Sequence, residues 1–125
     1  MTWKFKNLED ERILEVTIDG DLGYKELKQI TIDSMAALSR TKFKKSLADY
    51  SRARFTTTLS DLMELLKLYD ELKTKRTGYR TAIVITDKGY FDEMAEFFEN
   101  ITANRGYMGF KVFENYEDAH RWLAN

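Results

Sequence analysis

The strongest constraint on the fold is an apolar run near the middle of the chain, RTAIVIT at residues 80–86. The run lacks alternation between polar and apolar positions, and segments with helical spacing of apolar residues lie on both sides of it. An unbroken apolar strand is typical of a central position in a parallel sheet whose two faces are both covered. The sequence therefore predicts an α/β fold with residues 80–86 as an inner strand.

Four other short segments carry strand patterns. Trp3 and Phe5 alternate with lysines, and RILEVTID places three aliphatic side chains on one face. These two segments predict an antiparallel N-terminal hairpin, and Gly20 is predicted to end its second strand. The five predicted strands lie at residues 3–6, 12–19, 46–50, 80–86 and 108–113.

Four helices are predicted, because apolar residues recur every three or four positions between and after the strands. Gly23 with Glu26, and Asn115 with Asp118, carry the spacing of helix-capping pairs before the first and last helices. The second helix is predicted at about 59–74 and the third at about 90–104. The predicted buried residues are Leu27, Ile30, Ser34, Met35 and Leu38 in the first helix; Leu59, Leu62, Met63, Leu66, Tyr69 and Leu72 in the second; Phe91, Met94, Ala95, Phe98 and Ile101 in the third; and Ala119, Trp122 and Leu123 in the fourth.

The resulting order is β-β-α-β-α-β-α-β-α. Strands separated by helices imply right-handed crossovers, so we predict a mainly parallel five-stranded sheet with helix cover and an antiparallel edge at the N-terminus. With 125 residues and no linker or low-complexity tract, the chain is expected to form one domain over residues 1–125.

Composition excludes several kinds of function. The chain contains no cysteine, which excludes disulfides, thiol catalysis and thiolate metal sites. Its formal net charge is −1, and the short lysine cluster at residues 42–45 is balanced by acids, so no nucleic-acid partner is expected. No apolar run approaches the ~20 residues that span a bilayer. We therefore expect no membrane insertion and a cytoplasmic location.

No set of catalytic residues is apparent in the sequence. His120 is the only histidine, with no second imidazole or thiol to complete a metal site. The glycine-rich phosphate loop, the Gly-x-Ser-x-Gly turn and the His-Glu-x-x-His motif are all missing. We therefore expect a chain that is not an enzyme and needs neither a cofactor nor a metal.

The best candidate for a functional site is the segment at residues 47–66, LADYSRARFTTTLSDLMELL. We expect a short strand that ends at Asp49, a polar turn that ends in three threonines, and a leucine-rich helix directly after it. In open α/β sheets, ligands bind where strands end and helices begin. This junction is therefore where a ligand or partner is expected.

The element order resembles the STAS-domain fold, and most closely its SpoIIAA-like bacterial branch. Two segments carry the resemblance, LADYSRARF at residues 47–55 and FKVFENYEDAHRWLAN at residues 110–125. It implies a non-enzymatic regulatory module that binds an unknown protein partner. The same fold is often compared with CRAL-TRIO lipid-transfer domains, which implies an alternative function as a small apolar-ligand or lipid-binding domain.

The resemblance also suggests a phosphorylation switch. In bacterial anti-sigma factor antagonists, which share the STAS fold, an Asp-Ser-Ser-Gly-like motif precedes the second helix, and a partner kinase phosphorylates one of its serines to break the complex. Alignment places Asp49 at the strand acid and Phe55 at a buried aromatic of the turn. Thr58 then takes the phosphoacceptor position, while Thr57 and Ser60 replace the aspartate and the glycine.

Two sites at the junction each have an alternative interpretation. Thr58 and Asp61 match a capping box, which stabilises a helix by about 1 kcal/mol without any regulation. Arg52 and Arg54, with free N–H groups of the second helix, form a candidate phosphate or carboxylate site. The alternative is a solvated turn in which these arginines pair with nearby acids.

Apolar residues also extend beyond the predicted buried faces of the second and third helices. Leu65, Leu68, Tyr90 and Phe97 lie at the margins of those faces or outside them. They are candidates for a homodimer contact, a partner groove or the wall of a pocket for an apolar ligand. A wide core face against a twisted sheet would explain them equally well.

Overall fold

The fold, seen in a computed structural model, is a five-stranded sheet in the order β1-β2-β3-β4-β5. The structure describes residues 2–71, 78–105 and 109–124. The elements are β1 (Thr2–Leu8), β2 (Ile13–Leu22), α1 (Tyr24–Thr41), β3 (Lys45–Phe55), α2 (Leu59–Glu71), β4 (Arg80–Val84), α3 (Lys88–Arg105), β5 (Gly109–Phe113) and α4 (Tyr116–Ala124).

The strand pairing confirms the predicted topology. β1 pairs antiparallel with β2, and Trp3 lies opposite Ile18. The pairs β2–β3, β3–β4 and β4–β5 are all parallel. Each parallel neighbour is reached through a helix, as crossover connections require. The predicted α/β class, element order and antiparallel N-terminal edge are therefore correct.

Two hydrophobic clusters cover the two faces of the sheet. The larger lies under α1, α2 and α3, and the smaller packs Ala119 and Leu123 of α4 against Leu47, Ala82 and Val84. Successive β4 residues alternate between the clusters, because neighbouring strand side chains point to opposite faces. The prediction that β4 is covered on both faces is confirmed.

β2 and β3 are both longer than predicted. β2 continues past Gly20, whose φ is +107°, as far as Leu22. β3 continues past Asp49 to Phe55, and residues 52–55 pair with residues 19–22. The predicted ends at Gly20 and Asp49 are therefore wrong. The extension is stabilised where Leu22 and Phe55 are both buried.

Helix α2 is rotated relative to the prediction. Its described buried residues are Leu62, Leu65 and Leu68, while Met63 is 50% exposed. Leucines occur on several sides of this helix, so its apolar periodicity fits more than one buried face. The side chains of Leu59, Leu66, Tyr69 and Ile101, and the predicted extension of α2 over residues 72–74, lie outside what the structure describes.

Candidate functional site

The junction between β3 and α2 consists of Thr56, Thr57 and Thr58. The Thr56 N–H donates to the carbonyl oxygen of Leu22 at 2.9 Å, and the Thr56 hydroxyl donates to the same oxygen at 3.3 Å. These bonds fix the chain at the end of β2. As a result, α2 begins almost directly after the last paired residue of β3.

Thr58 caps the N-terminus of α2. The Asp61 N–H donates to Thr58 Oγ1 at 3.2 Å, and the Thr58 N–H donates to Asp61 Oδ2 at 2.9 Å. Two backbone donors that the first helical turn leaves free are thereby satisfied. The predicted capping box is confirmed. Thr58 is nevertheless exposed, so capping leaves the side chain accessible from solvent.

Thr57 is bound to Tyr90 at the start of α3. Its side chain is buried, with 8% exposure, and its hydroxyl lies 2.8 Å from the Tyr90 hydroxyl. The Tyr90 hydroxyl also donates to the Thr57 carbonyl oxygen. Because a phenol has one proton to donate and Tyr90 gives it to this carbonyl oxygen, the Thr57 hydroxyl is the donor in the bond between the two hydroxyls. The Tyr90 ring stacks on Phe55, with ring centroids 4.9 Å apart.

A groove of about 400 Å³ runs between α2 and α3. Leu62 and Phe97 form its apolar part. Its lining is Thr57, Thr58, Leu62, Tyr90, Glu93, Glu96, Phe97 and Asn100. Two of the four predicted interface residues, Tyr90 and Phe97, therefore line one surface with the predicted switch residues Thr57 and Thr58.

The other two predicted interface residues lie in the core. Leu65 is 0% exposed and Leu68 is 6% exposed. The expectation that they lie at the margin of the buried face is wrong, because the rotation of α2 places them in its centre. Of the four predicted interface residues, those that line the groove thus come from α3 rather than from the middle of α2.

Arg52 and Arg54 lie on β3 rather than in a turn. The strand register puts Arg54 opposite Asp21, and its guanidinium pairs with that carboxylate at 3.0 and 3.3 Å. Both partners of this pair are largely exposed, so it adds little stability. Neither arginine lines the groove. Their role as an anion site stays a prediction.

A separate cavity of about 60 Å³ lies between the sheet and helices α1 and α3. Its walls are mainly apolar and include Leu27, Met35 and Phe98. The hydroxyls of Ser46 and Thr81 bond each other there at 2.8 Å. Tyr50 also lines the cavity with 8% exposure, and within the described ranges its hydroxyl has no hydrogen-bond partner. Burial raises the pKa of Tyr50 well above its usual range.

His120 has a structural contact at the other face of the sheet. Its imidazole pairs with the carboxylate of Glu11 and stacks on Tyr116, with ring centroids 5.9 Å apart. Tyr116 in turn donates to Glu15. These contacts join α4 to the N-terminal hairpin. The junction at Thr58 and the only histidine therefore belong to different regions of the molecule.

The described residues form neither a metal site nor a membrane-spanning helix. Histidine, aspartate and glutamate side chains do not come together there in a group of three or more that suits a metal ion. In the same ranges, no helix combines the length and apolarity needed to cross a membrane.

Comparison with known proteins gives a fold but no sequence family. No protein-family model matches the chain. No curated protein matches its sequence significantly.

Several solved structures share the architecture over almost the whole chain. An uncharacterized protein of the DUF3478 family with a SpoIIAA-like fold, from Shewanella loihica, is 22% identical with a TM-score of 0.59, covering 98% of this chain and 92% of that one. The anti-sigma factor antagonist SpoIIAA in its unphosphorylated form is 14% identical with a TM-score of 0.58, covering 96% and 94%. An anti-sigma factor antagonist from Mycobacterium paratuberculosis is 13% identical with a TM-score of 0.58, covering 99% and 96%. The chain therefore has the SpoIIAA-like fold, as its sequence predicts.

Proposed function

We propose that this chain is a non-enzymatic regulatory module that binds a partner protein at the surface around the N-terminus of α2. One observation carries the proposal: the exposed residue Thr58, which caps the N-terminus of α2, borders a groove of about 400 Å³ between two helices. A groove of that volume accommodates several side chains of a partner. The SpoIIAA-like fold, which anti-sigma factor antagonists share, supports a regulatory role.

Thr58 is the residue at which we propose regulation. A phosphate there would add about −1.5 to −2 charges at neutral pH. The positive end of the α2 dipole favours that charge, whereas the carboxylate of Asp61 in the same turn opposes it. Because these local effects have opposite signs, the main consequence is a change of charge on the partner surface. Capping and modification are compatible roles for one exposed threonine.

Affinity purification tests this function. The tagged chain is expressed in its native cells as wild type, Thr58→Ser, Thr58→Glu and Ser39→Glu. Ser39 is an exposed residue of α1 and supplies the matched control, since it adds the same charge at a distance from the groove. We expect one protein to be recovered equally with wild type, Thr58→Ser and Ser39→Glu. Its recovery should change at least about threefold with Thr58→Glu.

Folding is checked for each variant by circular dichroism before the recoveries are compared. A partner whose recovery is the same with all four proteins would place the contact elsewhere. If no protein is recovered specifically with the wild type, the proposed interaction function is wrong.

The alternative function is a binding domain for a small apolar ligand, and the cavity beneath α1 favours it. Its volume of about 60 Å³ exceeds the ~15 Å³ that one water needs but is far below the ~300 Å³ of ordinary ligand pockets. The free Tyr50 hydroxyl is the group that a ligand would satisfy. An occupant larger than a few heavy atoms requires α1 to move away from the sheet.

Native mass spectrometry of the purified chain tests this alternative. We expect a bound species of defined mass that is lost in Ala48→Leu, because Ala48 lines the cavity and the larger side chain occupies it. Ala36→Leu, at an exposed position of α1, is the control. A wild-type protein without a bound species, or one whose bound species survives in Ala48→Leu, contradicts the alternative.

A further inference from the structure

We propose that the groove between α2 and α3 binds a basic segment of the partner, one that presents an arginine or lysine beside an apolar residue. This inference rests on the interaction function proposed above and adds the chemistry of the partner. Charge, hydrogen-bonding capacity and the apolar floor of the groove each point to such a segment.

The charge comes from α3. Glu93 and Glu96 line the groove, both are exposed, and neither forms an ion pair or hydrogen bond with a residue that the structure describes. Three positions apart on a helix, they lie on the same side, where like charges repel each other. Between Gly89 and Asn100 the helix also carries Asp92 and Glu99 but no lysine or arginine. A cationic side chain placed between Glu93 and Glu96 would relieve this repulsion.

The hydrogen-bonding groups of the groove are mainly acceptors. The Tyr90 proton goes to the Thr57 carbonyl oxygen and the Thr57 proton goes to the Tyr90 oxygen, so both donors are used within the protein. The Thr58 N–H is likewise used by Asp61, which also faces the positive end of the α2 dipole. Donors remain at the Thr58 hydroxyl and the Asn100 amide. Carboxylates and lone pairs outnumber them, which favours a guanidinium or ammonium group, since these only donate.

The apolar part of the groove fits the rest of such a side chain. Leu62 is 5% exposed and Phe97 is half-buried, and both line the groove. Lysine and arginine bury their methylene stems against apolar surfaces while their charged ends stay near polar groups. Aromatic rings such as that of Phe97 also attract cations placed over their faces. The groove therefore distinguishes a basic segment from an acidic or phosphorylated one.

The charge of the groove also fixes the direction of regulation. A negative charge at Thr58 adds to that of Glu93 and Glu96, so it should strengthen the binding of a basic segment. This is the opposite of a switch in which phosphorylation breaks the complex.

Selection from a random peptide display library tests the inference without knowledge of the partner. The immobilised wild-type chain is the bait, and enriched peptides are synthesised and titrated by isothermal calorimetry. Three variants are compared with the wild type: Glu93→Gln/Glu96→Gln, Thr58→Glu, and the control Asp92→Asn/Glu99→Asn. The control removes the same charge from the same helix at residues that do not line the groove. All variants are first shown to have wild-type thermal unfolding curves.

We expect the enriched peptides to carry net positive charge with at least one large apolar residue. Their Kd should rise by about tenfold in Glu93→Gln/Glu96→Gln, by less than about threefold in the control, and fall in Thr58→Glu. Binding should also weaken as salt is raised.

Neutral or acidic enriched peptides would overturn the inference, as would equal losses in both double variants. Peptides whose Kd is unchanged in the groove variants would show that binding occurs outside the groove. That result overturns the inference without contradicting the interaction function. Failure to enrich any peptide overturns the inference as well. The interaction function itself then depends on the separate affinity purification.

Discussion

At the scale of single residues, the hydroxyl of Tyr90 connects the start of α3 to the junction before α2. It satisfies the Thr57 carbonyl oxygen and accepts the Thr57 proton, so it joins α3 to the residue before the cap of α2. The sequence indicated Thr57 as part of a possible regulatory site and Tyr90 as part of a separate possible interface, with no contact between them. They are 33 positions apart, and a pattern of spacing along the chain carries no signal for a contact of that range.

Tyr90→Phe should lower the free energy of unfolding by about 1–3 kcal/mol, because the Thr57 hydroxyl and carbonyl are left buried without their partner. Urea unfolding measures the change. Tyr24→Phe is the control, since Tyr24 is half-buried and its hydroxyl forms no hydrogen bond in the described ranges. Equal losses in the two variants would mean that the Tyr90 contact adds no specific stability.

Tyr50 gives a prediction about alkaline pH. Its pKa is raised by burial in the folded protein, so the unfolded chain releases this proton first, at about pH 10. Stability should therefore be unaffected below that pH and fall as the pH rises above it. Tyr50→Phe should remove part of the fall while leaving stability at pH 7 nearly unchanged. Thermal unfolding of both proteins from pH 7 to pH 11 measures this.

Part of that alkaline loss should remain in Tyr50→Phe. The pKa of Tyr116 is also raised, first by burial and then by its hydrogen bond to Glu15. If Tyr50→Phe and the wild type lose the same stability above pH 10, ionisation of Tyr50 does not destabilise the folded state, and the prediction is wrong.

At the scale of elements, the sequence predicted the number, type and order of helices and strands but not the length of β3. Residues 51–54 are polar or small and resemble a turn by composition. Their strand structure depends on pairing with residues 19–22, which is a contact between distant segments. The buried face of α2 was misassigned for a related reason. When leucines occur on several sides of a helix, packing against the rest of the fold decides which side is buried.

The register of α2 is tested by Leu65→Ala and Met63→Ala. We expect Leu65→Ala to cost about 2–5 kcal/mol, because Leu65 is fully buried. Met63→Ala, on the exposed side, should cost less than about 1 kcal/mol. Denaturant unfolding of both variants gives the comparison. The reverse order of losses would show that α2 packs with the face expected from its sequence.

The start of α2 is tested by Thr58→Ala and Thr58→Ser. Removing the cap should cost about 1 kcal/mol, whereas serine keeps an oxygen at the same place and should cost little. Thermal unfolding measures both. A Thr58→Ala variant as stable as the wild type would leave regulation, rather than capping, as the reason for a threonine at this position.

At the scale of the whole molecule, a net charge of −1 conceals an uneven distribution. Four basic residues and one acidic residue line a cleft beside the starts of β2 and β3: Arg12, Lys42, Lys44, Lys45 and Glu11. Glu93 and Glu96 line the groove that follows the ends of β3 and β4. Because these strands are parallel, the basic cleft and the acidic groove lie at opposite ends of the sheet.

This distribution bears on the homodimer, which stays a prediction. Among the described residues only Phe5 and Met63 are large, apolar and exposed. We therefore expect any self-association to depend on charge, and to weaken as the salt concentration rises from about 0.02 M to 0.5 M. Sedimentation equilibrium at the two concentrations measures it. Association that persists or strengthens in high salt would indicate an apolar contact instead.

The contact between Thr57 and Tyr90 has a consequence for how homologous sequences should vary. A change of Tyr90 to phenylalanine leaves a buried hydroxyl at position 57 without a partner, and a change of Thr57 to valine leaves the phenol without its donor. The two positions should therefore be substituted together during evolution. A homologue with phenylalanine at position 90 is expected to carry valine or alanine at position 57.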